Sequence, residues 1–156
     1  MSEPYEEIVA GETILRFPPG PRHEQICGRL HEWMTASLAN VPTTRLLAPR
    51  SVVELVAGTL IRPDLALVTV QTGKMWLAAE IISSEDHRTD TVAKKTMYEE
   101  VNVPRLWMID PRYDNVEVYH GSEYGLRLVH IFAGREVLSE KLIPEFQCTI
   151  AELFGV

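Results

Sequence analysis

Residues 60–82, LIRPDLALVTVQTGKMWLAAEII, decide the fold class of this 156-residue chain. Two nearly continuous apolar runs, 65–68 and 75–82, stand on either side of a turn at Gly73. Runs this short and this apolar are typical of central strands that are covered on both faces. The stretch therefore predicts the middle of a sheet with helices packed against it.

Segments on both sides of this stretch complete an α/β pattern. Apolar residues at helical spacing predict an amphipathic helix over 23–39, and a segment rich in helix formers predicts another over 88–101. The element order ββ-α-βββ-α-βββ-α predicts an α/β sandwich in which helices flank a central mixed sheet, folded as one domain over residues 1–156. Strands are predicted at 7–10, 12–16, 51–56, 60–70, 75–82, 106–109, 115–120 and 126–133, with a last helical turn at 149–154.

Composition narrows the class of protein. No apolar run approaches the ~20 residues that span a bilayer, and the acidic N-terminus lacks the apolar core of a signal peptide. The cysteines, Cys27 and Cys148, form neither a CxxC pair nor a zinc pattern, so a reducing cytoplasm is expected. A net charge of −7 argues against phosphate binding, although metal-dependent nucleases must carry carboxylates and a bound cation reverses the local sign.

Two carboxylates occupy positions that strand propensity alone would not give them. Asp64 lies between Arg62-Pro63 and an apolar strand, and Glu80 is embedded in the run AAEII. A lone carboxylate in a buried strand costs several kcal/mol unless it is paired or bound to metal. The alternative is an edge carboxylate paired with an arginine such as Arg62.

The second predicted helix adds a basic side chain near Glu80. Asp90, Lys94 and Tyr98 are spaced four residues apart, so the three lie on one helical face. Alone, this spacing also fits a solvated Asp–Lys pair worth ~0.3–0.5 kcal/mol. The position of Glu80 at the end of the preceding strand, a short loop away, favours a shared site.

These residues resemble the motif of the Uma-two family, restriction-endonuclease-like proteins of the PD-(D/E)xK superfamily. The lysine that the superfamily places two residues after the strand acid is absent, since Ile82 stands there. In the resembled family the following helix supplies it, and Lys94 matches that position. The resemblance covers most of the chain through Pro63-Asp64, Glu80-Ile81-Ile82-Ser83, Asp90, Lys94, Tyr98, Val103-Pro104 and 107–111, with fainter similarity at Gly11-Glu12 and His23.

The resemblance implies a metal-dependent endonuclease acting on nucleic acid, and DNA is the substrate that we expect. Asp64, Glu80 and the backbone carbonyl of Ile81 would bind Mg²⁺ or Mn²⁺, and Lys94 would orient the attacking water or stabilise the developing charge. Supporting roles fall to four further residues, and a homodimer fits an enzyme that cuts two strands. The supporting residues are Asp90, Tyr98, His23 and Glu12.

Two other hypotheses remain open. A catalytically inactive module with the same fold would bind nucleic acid or protein, as the acidic net charge and the displaced lysine suggest. A structural carboxylate cluster in a protein of unrelated activity would instead pair both Asp64 and Glu80 with arginines.

Overall fold

A computed structural model describes residues 3–83 and 88–155, and the side chains of residues 88–90 lie outside that description. Fifteen elements are present in these ranges. In chain order they are β1 (Tyr5–Val9), β2 (Glu12–Arg16), α1 (Pro21–Ser37), β3 (Thr44–Leu46), β4 (Val53–Val56), β5 (Thr59–Ile61), β6 (Leu65–Thr69), β7 (Met75–Ile81), α2 (Arg88–Glu100), β8 (Arg105–Asp110), β9 (Asn115–Ser122), β10 (Gly125–Ala133), β11 (Val137–Glu140), β12 (Ile143–Thr149) and α3 (Ile150–Phe154).

A six-stranded mixed sheet forms the centre of the fold, with the strand order β10-β9-β8-β7-β6-β3. Strands β7 and β8 are parallel, and the other neighbouring pairs are antiparallel. A parallel neighbour requires a crossover connection, which the segment containing α2 provides. The mixed sheet confirms the predicted α/β fold with apolar central strands.

The two faces of β7 pack against different helices because successive side chains of a strand point to opposite faces. Leu77, Ala79 and Ile81 share a buried cluster with Ile26 and Leu30 of α1. Ala78 and Ile82 belong instead to the cluster that contains Tyr98 of α2. Since Glu80 lies between Ala79 and Ile81 in this alternation, its side chain is on the α2 face of the sheet.

One predicted strand is in fact two. Residues 60–70 were expected to form a single strand, whereas β5 and β6 belong to different sheets, and β5 lies in the four-stranded sheet β2-β1-β5-β4. The chain leaves one sheet and enters the other at Arg62-Pro63-Asp64, where Pro63 has no N–H for a ladder hydrogen bond. Asp64 therefore stands at the junction between the two sheets.

Two regions of strand were not predicted. The short edge strand β3 pairs with β6, and β11 pairs with β12 in a separate two-stranded sheet. This hairpin contributes Leu138, Phe146 and Cys148 to the cluster around α1. In the described part of the chain, no helix combines the length and apolar character needed to cross a membrane.

Candidate functional site

Asp64 and Glu80 are neighbours across the β6–β7 ladder. Leu65, the first residue of β6, pairs with Ala79, and Asp64 and Glu80 are the next residues beyond that pair on the two chains. The Asp64 Oδ2 atom accepts a hydrogen bond of 2.8 Å from the backbone N–H of Ile81. Both carboxylates are buried, with residue exposures of 4% and 5%. The sheet thus fixes two acidic groups at one end of its central strands.

Glu80 contacts the face of α2 that the sequence predicted. The Lys94 ammonium donates to Glu80 Oε1 at 3.0 Å, and the Tyr98 hydroxyl donates to Oε2 at 2.5 Å. Lys94 and Tyr98 are both buried. Lysine therefore reaches the strand acid from α2, while Ile82, at the superfamily's lysine position, packs in the apolar cluster on this face.

Glu7 of β1 is a third buried carboxylate that the sequence analysis missed. Its Oε1 atom lies 3.6 Å from the Lys94 Nζ atom and 2.8 Å from the Arg16 Nε atom. Its Oε2 atom accepts a 2.7 Å hydrogen bond from the Arg62 backbone N–H. Glu7, Asp64, Glu80 and Lys94 are hereafter called the carboxylate site.

On the α1 side, Asp64 meets two basic groups. The Arg50 Nη1 atom lies 3.2 Å from Asp64 Oδ1, and the His23 Nε2 atom lies 3.3 Å from Oδ2. Arg50 adopts a left-handed backbone with φ of 58°, which is uncommon for a residue with a side chain. Its N–H donates to the Pro63 carbonyl and its carbonyl accepts from Arg62, so the segment before Asp64 holds this conformation.

Electrostatics keep Asp64 ionised. Burial alone would raise the pKa of Asp64, but its hydrogen bond to His23, the charge of His23 and the Ile81 N–H together hold that pKa below its ordinary value. Burial would lower the pKa of His23, and its contacts with Asp64 and Glu24 offset this and raise it. His23 therefore favours the imidazolium form, in which both ring nitrogens donate to carboxylates.

The pKa of Glu80 is shifted in the opposite direction, above its ordinary value. Burial raises the pKa of Glu80 to about 7; Lys94 opposes the shift, whereas the charges of Asp64 and Glu7 add to it. Burial would lower the pKa of Lys94, but Glu80 and Glu7 raise it, so Lys94 remains an ammonium ion. Carboxylates that repel one another in this way form a group that an added cation would stabilise.

The donor chemistry of the site fits a hard divalent cation. Among the side chains of residues 3–83 and 91–155, no group of three or more from His, Cys, Asp or Glu is arranged to hold a metal ion. Mg²⁺ does not need such a cage, because it usually binds through one or two carboxylates and retains several waters. Asp64 and Glu80 supply carboxylate oxygens. A metal ion could replace Arg50, whose contact with Asp64 Oδ1 is 3.2 Å long, as the partner of that oxygen.

The remaining predicted supporting residues have different outcomes. Tyr98 contacts Glu80, and His23 contacts Asp64. Glu12 is not brought to the site: it is exposed, opposite Val9 at the end of the β1–β2 hairpin, and Glu7 supplies the acid from this region. The side chain of Asp90 lies outside the described residues.

Two sequence-based expectations about pairing need correction. Arg62 does not pair with the Asp64 carboxylate, since its side chain donates to the Glu6 and Arg50 carbonyls. The arginine that pairs with Asp64 is Arg50. A structural cluster would pair both acids with arginines, yet Glu80 accepts hydrogen bonds from Lys94 and Tyr98. Neither Glu7 nor Arg50 carries a local sequence signal, because Glu6-Glu7 reads as an ordinary acidic pair and Arg50 as a loop residue.

Comparisons with known proteins agree with the fold. The crystal structure of a "putative nuclease belonging to DUF820" from Anabaena variabilis superposes with a TM-score of 0.78 at 17% identity, covering 99% of this chain and 92% of that one. No curated protein sequence matches the chain. The family model Uma2, described as "Putative restriction endonuclease", matches residues 2–151. The chain therefore belongs to the Uma2 family of restriction-endonuclease-like proteins.

Proposed function

We propose that this protein is a divalent-metal-dependent endonuclease that hydrolyses phosphodiester bonds of DNA at the carboxylate site. The observation that carries the proposal is the 3.0 Å contact of a buried lysine, Lys94, with a strand glutamate, Glu80, that neighbours Asp64 across the sheet. Family membership and the nuclease neighbour support a nuclease-like role. Asp64, Glu80 and the Ile81 carbonyl would hold Mg²⁺ or Mn²⁺.

The bound metal would polarise the phosphodiester and lower the pKa of the attacking water. Lys94 stays protonated, so it acts as a hydrogen-bond donor that orients water and stabilises negative charge, and it does not act as a general base. Tyr98 holds the second oxygen of Glu80 and limits its rotation. His23 keeps Asp64 ionised, which is the form that binds a cation.

The proposal also includes the setting of the reaction. Both cysteines are buried free thiols, which agrees with a reducing cytoplasm. A homodimer would place one site on each strand of a duplex.

A cleavage assay tests the proposal. We expect purified protein to convert supercoiled plasmid to nicked and linear forms with Mn²⁺ or Mg²⁺, and EDTA to abolish the reaction, because the carboxylates need the cation to act on phosphate. Gel electrophoresis over a time course measures the products. If no metal supports cleavage of plasmid, linear duplex or single strands, the endonuclease proposal fails.

A catalytically inactive binding module is the second candidate. The observation that favours it is that the Asp64 and Glu80 oxygens already accept hydrogen bonds or ion pairs from Arg50, Ile81, Lys94 and Tyr98. Such a saturated network would stabilise the fold without binding metal. Nucleic-acid binding without cleavage in the same assay would favour this candidate.

A further inference from the structure

A cavity of about 410 Å³ opens at the start of α1 and is bordered by Ile82-Ser83 after β7 and by Pro111-Arg112 after β8. This volume lies within the range of small-molecule binding sites, ~300–1,000 Å³. Two guanidinium groups and several apolar side chains line it. The residues that matter here are Pro21, Arg22, His23, Ile82, Pro111 and Arg112, and the cavity that they line is hereafter called the arginine cavity.

The arginine cavity adjoins the carboxylate site through shared residues. His23 lines the cavity, and its Nε2 atom lies 3.3 Å from Asp64 Oδ2. Ile82, also in the lining, is two residues beyond Glu80 along the chain. A ligand in this cavity would therefore lie beside the carboxylates and would be separated from Asp64 by one imidazole ring.

The charges at the cavity favour an anion, although the whole chain carries a net charge of −7. Arg22 pairs with Asp114 at 2.6 Å, and Arg112 pairs with Asp110 at 2.9 Å. Both guanidinium side chains are about half exposed, at 51% and 48%. The Arg22–Asp114 pair is exposed on both sides and contributes little to stability, so a phosphate can replace Asp114 at small cost. Arg112 instead makes two side-chain hydrogen bonds to the buried Asp110, so a phosphate would add to this pair and would not replace it.

The other walls of the arginine cavity suit the uncharged part of a nucleotide. Pro21 and Pro111 present apolar surface against which a base or sugar can pack, and the small exposed part of Ile82 adjoins it. The first turn of α1 adds a weak positive potential, which Glu24 in the same turn partly offsets. Apolar walls and two guanidinium groups together match one nucleoside phosphate unit better than a free inorganic anion.

We propose that the arginine cavity binds one nucleotide of the substrate strand next to the scissile phosphate. Arg22 and Arg112 contact the phosphate of this nucleotide, while the prolines and Ile82 contact its base or sugar. This inference rests on the proposed nuclease function and adds to it the side from which the strand reaches the carboxylate site. Binding does not require the metal.

Fluorescence anisotropy with a labelled short single-stranded oligonucleotide in EDTA tests the inference, because cleavage does not occur under this condition. We expect Arg22→Ala and Arg112→Ala each to weaken binding about tenfold, through loss of a charge-assisted hydrogen bond. Each should also reduce the magnitude of the slope of log affinity against log salt by about 0.7. Arg127→Ala, at an exposed position of β10, is the matched control and should bind like the wild type.

A substitution at Asp114 should have the opposite effect on oligonucleotide binding. Asp114→Asn removes the acid that competes for Arg22, and asparagine tolerates the left-handed backbone found at this position, φ 48°. We expect binding to tighten by about two- to fivefold. If Arg112→Ala unfolds because Asp110 loses its partner, Arg22→Ala and Asp114→Asn still carry the test.

Failure of this inference is distinguishable from failure of the proposed function. If the oligonucleotide binds the wild type and the Arg22, Arg112 and Arg127 variants with equal affinity, the arginine cavity is not the nucleotide site, whatever the plasmid assay shows. If the wild type does not bind the oligonucleotide and does not cut plasmid, both proposals fail. A specific loss of affinity in the Arg22 and Arg112 variants supports the inference even if the protein is a binding module.

Discussion

The Lys94→Met variant is expected to lose about 3–5 kcal/mol of its free energy of unfolding at pH 8. The Lys94 ammonium lies 3.0 Å from Glu80 and 3.6 Å from Glu7, and all three side chains are buried. Methionine fills a similar volume but removes the charge, so two carboxylates remain buried without their shared cation. Urea denaturation in EDTA, followed by far-ultraviolet circular dichroism, measures the loss.

The stability loss of Lys94→Met depends on pH, in a direction that follows from the pKa of Glu80. The pKa of Glu80 in the fold is about 7, above its ordinary value of 4.5, so folding favours the protonated acid. That favourable contribution is complete below pH 4.5 and is lost as the pH rises through 7. Removing Lys94 raises this pKa further, so Lys94→Met should be closer to the wild type in stability at pH 5 than at pH 8.

Lys95→Met, on the next residue of α2, is the control. Lys95 lies 4.3 Å from the Tyr119 ring centroid and contacts no buried acid in the described structure, so its loss should cost about 0.5–1 kcal/mol. The double variant Lys94→Met/Glu80→Gln should recover part of the lost stability, because one uncompensated charge disappears. Equal losses for the Lys94 and Lys95 variants would contradict a buried ion pair at this position.

The Glu80→Gln variant is expected to cut DNA about a thousandfold more slowly than the wild type while remaining folded. The amide keeps the shape of the side chain and a carbonyl that accepts from Lys94 or Tyr98, but it loses the charge that binds a cation. At pH 8 without metal, the variant should be no less stable than the wild type, since an acid with a folded pKa of about 7 is destabilising once ionised.

Glu12→Gln is the matched control for this variant. It makes the same chemical change at an exposed position of the β1–β2 hairpin, and its cleavage rate should equal that of the wild type. Initial rates from the plasmid assay in Mn²⁺ compare the three proteins. Glu80→Gln cleaving at the wild-type rate would remove Glu80 from the mechanism and leave the lysine contact as a structural feature.

Much of the central sheet was predictable because its strands are short and apolar on both faces. The alternation of side chains along β7 assigns Glu80 to the α2 face. The spacing of Lys94 and Tyr98 had indicated that this side of α2 contacts the sheet. Strand propensity marked Asp64 as unusual but left it open as an arginine-paired edge residue, and the family motif assigned it to the site. These residues lie in segments that are neighbours along the chain, so local patterns were informative.

Other parts of the fold and of the site could not be predicted from the sequence, because they depend on contacts between distant residues or on ambiguous local patterns. Pro144, the second residue of β12, argues against a strand, yet Ile143 and Phe146 on either side of it are buried. Glu7 contacts Lys94 across 87 residues of chain, and the pairing of β1 with β5 brings β1 towards Arg62 and Asp64. The break between β5 and β6 was missed although Arg62-Pro63-Asp64 interrupts the apolar residues of 60–70 and Pro63 is a local signal against one continuous strand.

Isothermal titration of Mn²⁺ into metal-free protein at pH 8 tests most directly whether the buried acids form a cation site. We expect saturable binding in the wild type and in Glu12→Gln, and loss of that heat in Asp64→Asn and Glu80→Gln, because each removes one of the proposed carboxylate ligands. Absence of binding in the wild type, or identical heats in all four proteins, would contradict a metal site at Asp64 and Glu80.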